Sequence, residues 1–358
     1  MDEVTDMELF DCTDYLEDIQ NVIGEDIDWN RFREKTVMIS GATGMIGTFL
    51  IDVLMTLNRE KELKCAIVAL GRNKEKAKVR FARYWSHPLF SFFECDIAKE
   101  VVCDAESIDF VLHFASNTHP NAYSTDPIGT ITANVMGTYH LLEFAAAHRA
   151  ERFLFASSVE VYGQNRGDAE YFTEAYCGYI NCNTLRAGYP ESKRAGEALC
   201  QAFMKQKNLD IVIPRIPRTY GPTLLSTDSK ALSQFLHNGI SGKNIVLKSE
   251  GNQFFSYNYV ADTVSGILWC LLYGERGEAY NISDAASDIT LRDLAKLIAE
   301  ACGTEVIFEL PDETERQGYS TATVAVMDSS KIRAIKWKAR YDIKSGVERT
   351  LRMLKAIG

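Results

Sequence analysis

The chain is built around one stretch, Thr36-Val-Met-Ile-Ser-Gly-Ala-Thr-Gly-Met-Ile-Gly-Thr-Phe-Leu-Ile-Asp-Val-Leu54. Its first part, residues 37–39, is a short apolar run that predicts a buried strand. Glycines follow at every third position, at Gly41, Gly44 and Gly47. Apolar residues then recur at helical spacing, at Ile46, Leu50, Ile51 and Leu54. The stretch therefore predicts a strand, a glycine-rich turn and an amphipathic helix.

A turn of this kind brings free backbone N–H groups and the positive end of a helix to one point, which suits a pyrophosphate. Gly41 would allow the tight turn, Gly44 would let a phosphate approach the backbone, and Gly47 would let helix and strand pack closely. The predicted cofactor-binding residues of the turn are Gly41, Thr43, Gly44, Met45, Ile46 and Gly47. The spacing is G-x-x-G-x-x-G rather than G-x-G-x-x-G, and an ordinary tight turn is the alternative.

The composition is typical of a soluble protein with one large domain or two lobes. The 358 residues are 46% hydrophobic and 25% charged. No apolar run is long enough to cross a bilayer, and the N-terminus lacks a signal-peptide pattern. The nine cysteines are scattered without a C-x-x-C pair, which favours reduced thiols in the cytoplasm over disulfides or a metal site. We expect no membrane partner and no nucleic acid, which would require a basic stripe.

The net charge of −10 comes from the N-terminal segment. Residues 1–30 hold eleven acidic residues and no Lys or Arg, which leaves 38 acidic against 39 basic residues in the rest of the chain. Apolar residues recur at helical spacing in this segment, at Tyr15, Leu16, Ile19, Val22 and Ile23. We therefore expect a helix docked on the body, with a partly disordered acidic leader as the alternative.

Strands and helices alternate along the next part of the chain. Apolar runs predict strands at 66–70, 91–97, 110–114, 152–156 and 211–216, and periodic segments predict helices at 128–148 and 191–207. The predicted fold class is α/β: a Rossmann-like doubly wound parallel sheet with an interleaved smaller C-terminal substrate lobe. The predicted domains are an acidic extension (1–30), a cofactor domain (31–221, completed by about 259–283), and a substrate lobe (222–258 and 284–358).

The end of the second predicted strand bears on the choice between NAD and NADP. NAD sites usually place an acidic residue here for the ribose hydroxyls, but this chain has Gly71-Arg72-Asn73 followed by Lys74. Positive charge without a carboxylate favours the 2′-phosphate of NADP. The alternative is that Arg72 caps a solvent-facing loop. The third strand is predicted to end at Asp96 and Ile97, beside the adenine.

The chemistry is predicted to lie between residues 156 and 193. Tyr189 and Lys193 are four residues apart at the start of a helix and so share one face. A phenol has a pKa of about 10, and a neighbouring ammonium together with a cationic nicotinamide would favour the phenolate. Ser158 ends a buried strand, where its hydroxyl could hold the substrate oxygen. A Y-x-x-x-K pair alone occurs often by chance, but a strand ending in Ser-Ser upstream makes coincidence a poor explanation.

These motifs resemble the extended short-chain dehydrogenase/reductases, which are NAD(P)-dependent nucleotide-sugar epimerases, dehydratases and decarboxylases. The resemblance covers residues 36–350 and includes the segments His113-Phe-Ala-Ser116 and Arg215-Ile-Pro-Arg-Thr-Tyr-Gly-Pro222. It implies a tightly bound NAD or NADP and a homodimer through the helices near 128–148 and 189–206. Further cofactor-binding residues implied by the resemblance are Phe114, Ala115, Ser116, Ser157, Tyr189, Lys193, Ile216 and Pro217.

Locally the chain is most similar to UDP-glucuronate decarboxylases. By that resemblance Ser158 holds the sugar O4, Tyr189 is the base, Lys193 holds the nicotinamide ribose and Glu160 lies beside the sugar ring. A sugar oxidised at C4 that carries a C5 carboxylate is a β-keto acid and can lose carbon dioxide. A 4-epimerase needs no carboxylate at position 160, so Glu160 favours the decarboxylase. The alternative for Glu160 is a structural ion pair.

The substrate side departs from the decarboxylase pattern. The decarboxylases usually have arginine where this chain has Phe255, but the chain has an additional arginine, Arg218. Since a diphosphate needs compensating charge, the predicted substrate-binding residues are His119, Arg186, Arg218, Lys230, Phe255 and Arg316. For Arg186 the alternative is a surface salt bridge, and for Arg218 it is a structural pair with an acid of the substrate lobe.

Three functions are therefore compatible with the sequence. The first is a redox-neutral enzyme on a nucleotide sugar, decarboxylase before epimerase. The second is a reductase of a sugar or polyol derivative that consumes NADPH, which Arg72 would suit. The third is a non-catalytic binding protein, which the presence of Ser158, Tyr189 and Lys193 disfavours.

Overall fold

The structure is a computed structural model that describes residues 6–103, 107–118, 120–225, 228–309 and 322–357. The helices of these residues are α1 (Asp6–Leu9), α2 (Thr13–Ile23), α3 (Met45–Lys61), α4 (Lys74–Arg80), α5 (Pro120–Thr125), α6 (Pro127–Ala147), α7 (Gly188–Lys207), α8 (Ala231–Ile240), α9 (Val260–Tyr273), α10 (Leu291–Cys302), α11 (Ser330–Ala334) and α12 (Ile343–Ile357). Within the described ranges, no helix has the length and apolar character to span a membrane.

The strands of the same residues are β1 (Thr36–Ser40), β2 (Ala66–Gly71), β3 (Phe90–Glu94), β4 (Phe110–His113), β5 (Arg152–Phe155), β6 (Ser157–Ser158), β7 (Ile211–Ile216), β8 (Arg218–Tyr220), β9 (Ile245–Leu247), β10 (Phe254–Tyr259), β11 (Ala279–Asn281), β12 (Asp288–Thr290), β13 (Val306–Phe308) and β14 (Val324–Ala325).

The main sheet is parallel throughout and confirms the predicted Rossmann-like fold. Its strand order is β3-β2-β1-β4-β5-β7-β11, with β6 paired to β7. The order reverses between β1 and β4, because the chain first builds outward through β2 and β3 and then returns. Ligands of open parallel sheets bind at such a switch point, beyond the carboxyl ends of the strands. The glycine turn after β1 lies there.

Helices cover both faces of this sheet, as alternating side chains on buried strands require. Val37 and Ile39 face a core that also contains the apolar residues of α3 and α9. Met38 points the other way, into a core shared with α6 and α7. The sheet is therefore buried on both sides, and its open edge is the row of strand ends that carries the candidate site.

The chain also forms a second sheet, which has four strands. It consists of β12-β10-β14, with β8 paired in parallel to β10 so that Arg218 lies opposite Tyr257. β8 follows directly after β7 of the main sheet, with Pro217 between the two strands. This short connection places the substrate-side residues of β8 and β10 near the strand ends of the main sheet.

Helix α2 packs on α3, α9 and α12, with Tyr15, Ile19, Val22 and Ile23 buried. The helical spacing in the sequence also placed Leu16 on the buried face, but Leu16 is 39% exposed. The buried polar residue is instead Asp18, which accepts hydrogen bonds from the hydroxyls of Tyr259 and Tyr341 and from Arg349 Nε at 2.9 Å. Charge pairing with distant residues thus sets the orientation of this helix.

The prediction that the third strand reaches Asp96 and Ile97 is wrong, because β3 ends at Glu94. The carboxylate of Asp96 accepts a hydrogen bond from the amide of Ala98 at 3.1 Å, which turns the chain away from the sheet. Ile97 is buried against α6, where His140 Nδ1 lies 3.1 Å from its carbonyl oxygen. Aspartate competes with the strand for backbone donors, which apolar patterning does not reveal.

Candidate active site

The glycine turn joins β1 to α3, and each of its three glycines has different surroundings. Gly41 has a φ of +71°, and a Cβ there would lie 2.6 Å from the amide nitrogen of Ala115. A Cβ on Gly47 would lie 2.6 Å from the carbonyl oxygen of Gly41, so helix and turn are in close contact. A Cβ on Gly44 would meet only that same oxygen, at 3.2 Å, within 4 Å. Space therefore opens beside Gly44 alone.

The N-terminus of α3 is available to an anion at this open point. Gly44 is the N-cap and has no side chain to cap the helix. Among the described residues, the amides of Met45, Ile46 and Gly47 have no hydrogen-bond acceptor. Three donors at the positive end of a 17-residue helix fit a pyrophosphate. The residues of the turn therefore suit a dinucleotide.

The loop after β4 is held against the turn by a buried histidine. His113 Nδ1 lies 2.8 Å from Ser40 Oγ, and its Nε2 lies 3.1 Å from Thr138 Oγ1. Burial lowers the pKa of His113 well below its usual value. Ser40 Oγ also accepts from the amide of Ala115 at 3.3 Å, while Ser116 Oγ donates to Asn134 Oδ1 at 2.7 Å. A neutral imidazole therefore fixes the position of the segment 114–116.

The predicted ribose end follows β2. Asn73 caps α4 by accepting from the amide of Lys76 at 2.8 Å, so its side chain has a structural use. Arg72 is exposed, and no described residue pairs with it. Glu94 is in register with Gly71 on the next strand, and its Oε1 lies 3.4 Å from the amide of Lys74. One free guanidinium and one carboxylate thus flank the place where the ribose would lie.

Strand β6 and helix α7 bring Ser158, Tyr189 and Lys193 together. Ser158 Oγ accepts from the amide of Glu160 at 3.3 Å and so caps the short 3-10 turn that follows β6. Lys193 Nζ donates to the carbonyl oxygen of Ala156 at 2.8 Å. All three side chains are buried. These are the three residues for which the sequence predicts a catalytic role, and that role stays a prediction.

The electrostatics of Tyr189 differ from the expectation that Lys193 favours its phenolate. Burial raises the pKa of Tyr189 to about 12, while Ser158 and Arg186 act in the opposite direction. Burial also lowers the pKa of Lys193 to about 8. The protein residues alone therefore keep Tyr189 protonated at neutral pH, because removal from water disfavours both charged forms.

An ion pair lies beside this cluster. Arg186 Nη2 donates to Glu160 Oε1 at 2.8 Å, and both side chains are largely buried. The guanidinium of Arg186 also stacks 4.7 Å above the ring of Tyr123, which in turn packs 5.0 Å from the ring of Tyr189. Nε and Nη1 of Arg186 are buried and have no hydrogen-bond partner among the residues that the structure describes. A buried guanidinium with two unused donors is costly unless an anion satisfies it.

Arg218 supplies a second guanidinium on the substrate side. Its side chain reaches from β8 across the pair to β10 and stacks 3.5 Å above the ring of Phe255. Its Nη1 is buried without a partner, and no described carboxylate pairs with it. Glu160 and Arg186 are near enough to influence the pKa of Arg218. The structural pair with an acid, considered as the alternative for Arg218, is therefore absent among the described residues.

Other predicted site residues have partners elsewhere or lie outside the described ranges. The ammonium of Lys230 pairs with the buried Asp228 at 3.2 Å. Ser157 Oγ donates to Glu197 Oε1 at 2.5 Å and so faces α7. Ile216 is in register with Ser158 at the end of β7, and Pro217 follows it. His119 and Arg316 lie outside the described residues.

The sequence indicated no role for Tyr123, which packs against Tyr189, or for Glu197, which binds Ser157 beside Ser158. The signal for Glu197 was present, since it follows Lys193 by four residues on the same helix. Tyr123 lies on a separate short helix, and no local pattern indicates that its ring packs against Tyr189.

Comparisons with known proteins agree with this geometry. A model of the NAD-dependent epimerase/dehydratase family matches residues 37–283. The chain is 30% identical over 278 residues to UDP-glucuronic acid decarboxylase 6 of Arabidopsis thaliana, covering 78% of this chain and 77% of that protein. It is 29% identical over 288 residues to UDP-glucuronic acid decarboxylase 1 of Xenopus tropicalis, covering 79% of this chain but 65% of that protein.

Solved structures of low sequence identity share the fold. A dTDP-glucose 4,6-dehydratase of Streptomyces venezuelae with NAD bound superposes with a TM-score of 0.74 at 22% identity, over 89% of this chain and 96% of that one. A UDP-glucuronic acid 4-epimerase of Bacillus cereus in complex with UDP-glucuronic acid and NAD gives 0.74 at 20% identity, over 89% and 99%.

Proposed function

Because the chain belongs to the NAD-dependent epimerase/dehydratase family, we propose that it is a redox-neutral enzyme that decarboxylates a nucleotide-linked glucuronate through a 4-keto intermediate. The relatives named UDP-glucuronic acid decarboxylase support the choice of decarboxylation. The observation that carries the proposal is the pair of guanidiniums of Arg186 and Arg218, whose buried donors have no partner among the described residues. Arg186 stacks on Tyr123, which packs against Tyr189. An anionic sugar would satisfy these donors.

The charge of the site favours a substrate with a carboxylate near the reacting carbon. Arg186 already neutralises Glu160, so Arg218 is the surplus cation. The aromatic ring of Phe255 supports the guanidinium of Arg218 where the decarboxylases usually carry an arginine on β10 itself. In this chain the guanidinium of Arg218 extends from the neighbouring strand β8 to Phe255, the position of that arginine. We propose that Arg218 replaces that arginine in holding the sugar carboxylate or the diphosphate.

The cofactor-binding residues are proposed to be the amides at the N-terminus of α3, the loop 114–116 and Lys193. The dinucleotide, when bound, supplies the acceptance and return of a hydride. Ser158 would hold the C4 hydroxyl while Tyr189, as the phenolate that a cationic nicotinamide would favour, takes its proton. Together with the hydride given up by C4, this would leave a ketone β to the C5 carboxylate. Loss of carbon dioxide would leave an enolate at C5, which would take a proton from solvent, and return of the hydride to C4 and of the Tyr189 proton to O4 would restore the alcohol. Atoms and charge then balance without an added oxidant.

The same machinery lacks nothing that 4-epimerisation needs, so the product decides between the two. Purified protein incubated with UDP-glucuronate and no added cofactor is expected to release carbon dioxide and a UDP-pentose, identified by mass spectrometry. A hexuronate epimer would make the protein a 4-epimerase. Turnover only with added NADPH would favour the reductase. No turnover under either condition would overturn the proposal.

A matched pair of variants tests the anion-binding role of Arg218. Arg218→Met is expected to raise the KM for UDP-glucuronate about ten- to a hundredfold, since a hydrogen bond to a charged group contributes about 1.5–3 kcal/mol. Arg166→Met is the control, because Arg166 also stacks on a ring, at 4.0 Å from Tyr179, but is exposed. An unchanged KM for Arg218→Met would remove Arg218 from the substrate site.

We further propose that the protein is a homodimer. Helix α6 presents exposed apolar side chains three to five residues apart along its length: Ile128, Ile131, Met136 and Tyr139. Exposed apolar side chains that recur along one helix support a protein contact. Cytoplasmic location stays a prediction from the scattered spacing of the cysteines in the sequence.

A further inference from the structure

Helix α7 carries a third polar residue on the face that holds the catalytic pair. Tyr189, Lys193 and Glu197 are spaced four apart, so they follow one another along one side of the helix. Lys193 is 3% exposed and stacks 4.9 Å from the ring of Phe155. Glu197 lies one turn further along, away from the proposed substrate. Glu197 therefore contacts residues that surround the site rather than the reacting atoms.

The carboxylate of Glu197 ties three elements together. Ser157 Oγ, on β6, donates to Oε1 at 2.5 Å. Arg215, on β7, donates from Nε to Oε1 at 3.0 Å and from Nη2 to Oε2 at 2.7 Å. Two parallel bonds of this kind fix a carboxylate in orientation as well as position. Because Ser157 precedes Ser158, the position of the Ser158 hydroxyl depends on Glu197.

Arg215 extends the network toward Glu160. Its Nη1 donates to Tyr162 Oη at 3.0 Å and to the carbonyl oxygen of Glu174 at 2.7 Å. Tyr162 ends the 3-10 turn that begins at Val159 and contains Glu160. The hydroxyl of Tyr162 donates onward to Asn281 Oδ1 at 2.5 Å. The Glu197–Arg215 pair, which is largely buried, therefore connects β6 to the turn that contains Glu160.

We propose that Glu197 is a positioning residue, which binds Ser157 and Arg215 and so holds the Ser157–Ser158 strand against α7, and which places its carboxylate one helical turn from Lys193, the residue proposed to contact the cofactor. This rests on the proposed function only in assigning Lys193 to the cofactor. In this role Glu197 does not touch substrate or cofactor.

The surroundings of Lys193 leave Glu197 as its principal source of negative charge. The titratable groups that act on Lys193 are Glu197 and Cys200 on its own helix and His113 on β4, and Arg215 on β7 lies nearby through its pair with Glu197. Burial lowers the pKa of Lys193 to about 8, and Glu197 acts most strongly against that lowering. Neutralising Glu197 would also leave the buried cation Arg215 unpaired nearby. Both changes would drive the proton off Lys193 at lower pH.

The direct test is a titration of Lys193 itself. Protein labelled with carbon-13 at the lysine side chains is titrated by NMR, and Lys193→Met identifies the signal. Glu197→Gln is expected to lower the pKa of Lys193 by about one unit or more. Glu191→Gln on the same helix is the control, since Glu191 pairs with Arg194 at 3.4 Å. This readout needs neither substrate nor cofactor, so its result is separate from that of the proposed function.

Cofactor binding gives the second readout, with a conservative variant to exclude mere misfolding. NADH affinity of Glu197→Gln is expected to match wild type near pH 6 and to be about fivefold weaker at pH 8, if the pKa falls by about one unit. Glu197→Asp keeps the charge and should retain the wild-type dependence on pH. An unshifted Lys193 titration in Glu197→Gln, or the same shift in Glu197→Asp, would overturn the inference.

Discussion

At the scale of single residues, Tyr189 is the group on which the proposed chemistry depends most. Burial raises its pKa to about 12. Tyr189 can therefore act as a base only where further positive charge nearby favours its phenolate. Tyr189→Phe is expected to lower kcat by about 10²- to 10⁴-fold, the usual contribution of a general acid–base, without changing NADH affinity. Steady-state kinetics and NADH fluorescence titration measure the two quantities.

The control for that variant is Tyr179→Phe, which removes a hydroxyl from a residue that is 45% exposed. It is expected to leave both kcat and NADH affinity unchanged. Near wild-type turnover by Tyr189→Phe would show that another group is the base.

A second residue-scale prediction concerns the cofactor. Arg72 is exposed and unpaired among the described residues, whereas Glu94 lies on the adjoining strand end. If Arg72 binds a 2′-phosphate, Arg72→Ala should weaken NADP binding about ten- to a hundredfold more than NAD binding. Calorimetric titration with each cofactor measures the difference. Arg59→Ala, at an exposed arginine of α3, is the control. Equal losses for both cofactors would leave Arg72 as a loop residue.

At the scale of elements, the contact between α2 and α3 contains a buried carboxyl, Asp52. Burial raises its pKa to about 7, while the hydroxyls of Tyr15 and Tyr84 act against that rise. Its Oδ1 has no hydrogen-bond partner in the described part of the chain. The folded pKa exceeds the usual value of about 3.9, so the folded state holds a proton that the unfolded state releases between these pH values. This contribution to stability is present at low pH and is lost as the pH rises through 7.

Asp52→Asn removes that dependence, and its amide nitrogen can occupy the unpaired Oδ1 position. The free energy of unfolding of the variant, relative to wild type, is therefore expected to increase from pH 5 to pH 8. Urea unfolding at both pH values measures it. Asp11→Asn, at an exposed aspartate near α2, serves as the comparison. A difference that is the same at both pH values would contradict the role of Asp52.

At the scale of the whole molecule, the proposed homodimer depends on the apolar stripe of α6. Ile128 is 78% exposed near the start of this helix, where a glutamate is compatible with the helix dipole. Ile128→Glu is expected to convert the dimer to a monomer, because it places a charge in an apolar contact. Light scattering coupled to size exclusion gives the mass.

Val102→Glu provides the matched substitution, since Val102 is 76% exposed elsewhere on the surface. It should leave the mass unchanged. A wild-type protein that elutes with the mass of one chain would refute the dimer, and a dimeric Ile128→Glu would place the contact on another surface.

The sequence by itself determined the features that depend on neighbours along the chain. The strand, glycine turn and helix at residues 36–54 follow from spacing alone, and the structure contains them as β1 and α3. Tyr189 and Lys193 could be paired because four residues of helix separate them. Each of these inferences needs only the period of one element.

Only the tertiary structure decided which distant charges meet. Arg218 rests on Phe255 because β8 and β10 pair in parallel, a register that neither strand specifies alone. Glu197 binds Arg215 because α7 packs over β7, and Asp18 is buried because α12 and β10 close around it. A charged side chain can be buried only where its partners are supplied, and these partners lie from 18 to 331 residues away. Apolar spacing along α2 therefore did not indicate that Asp18 is buried, because the partners that allow its burial lie on distant elements.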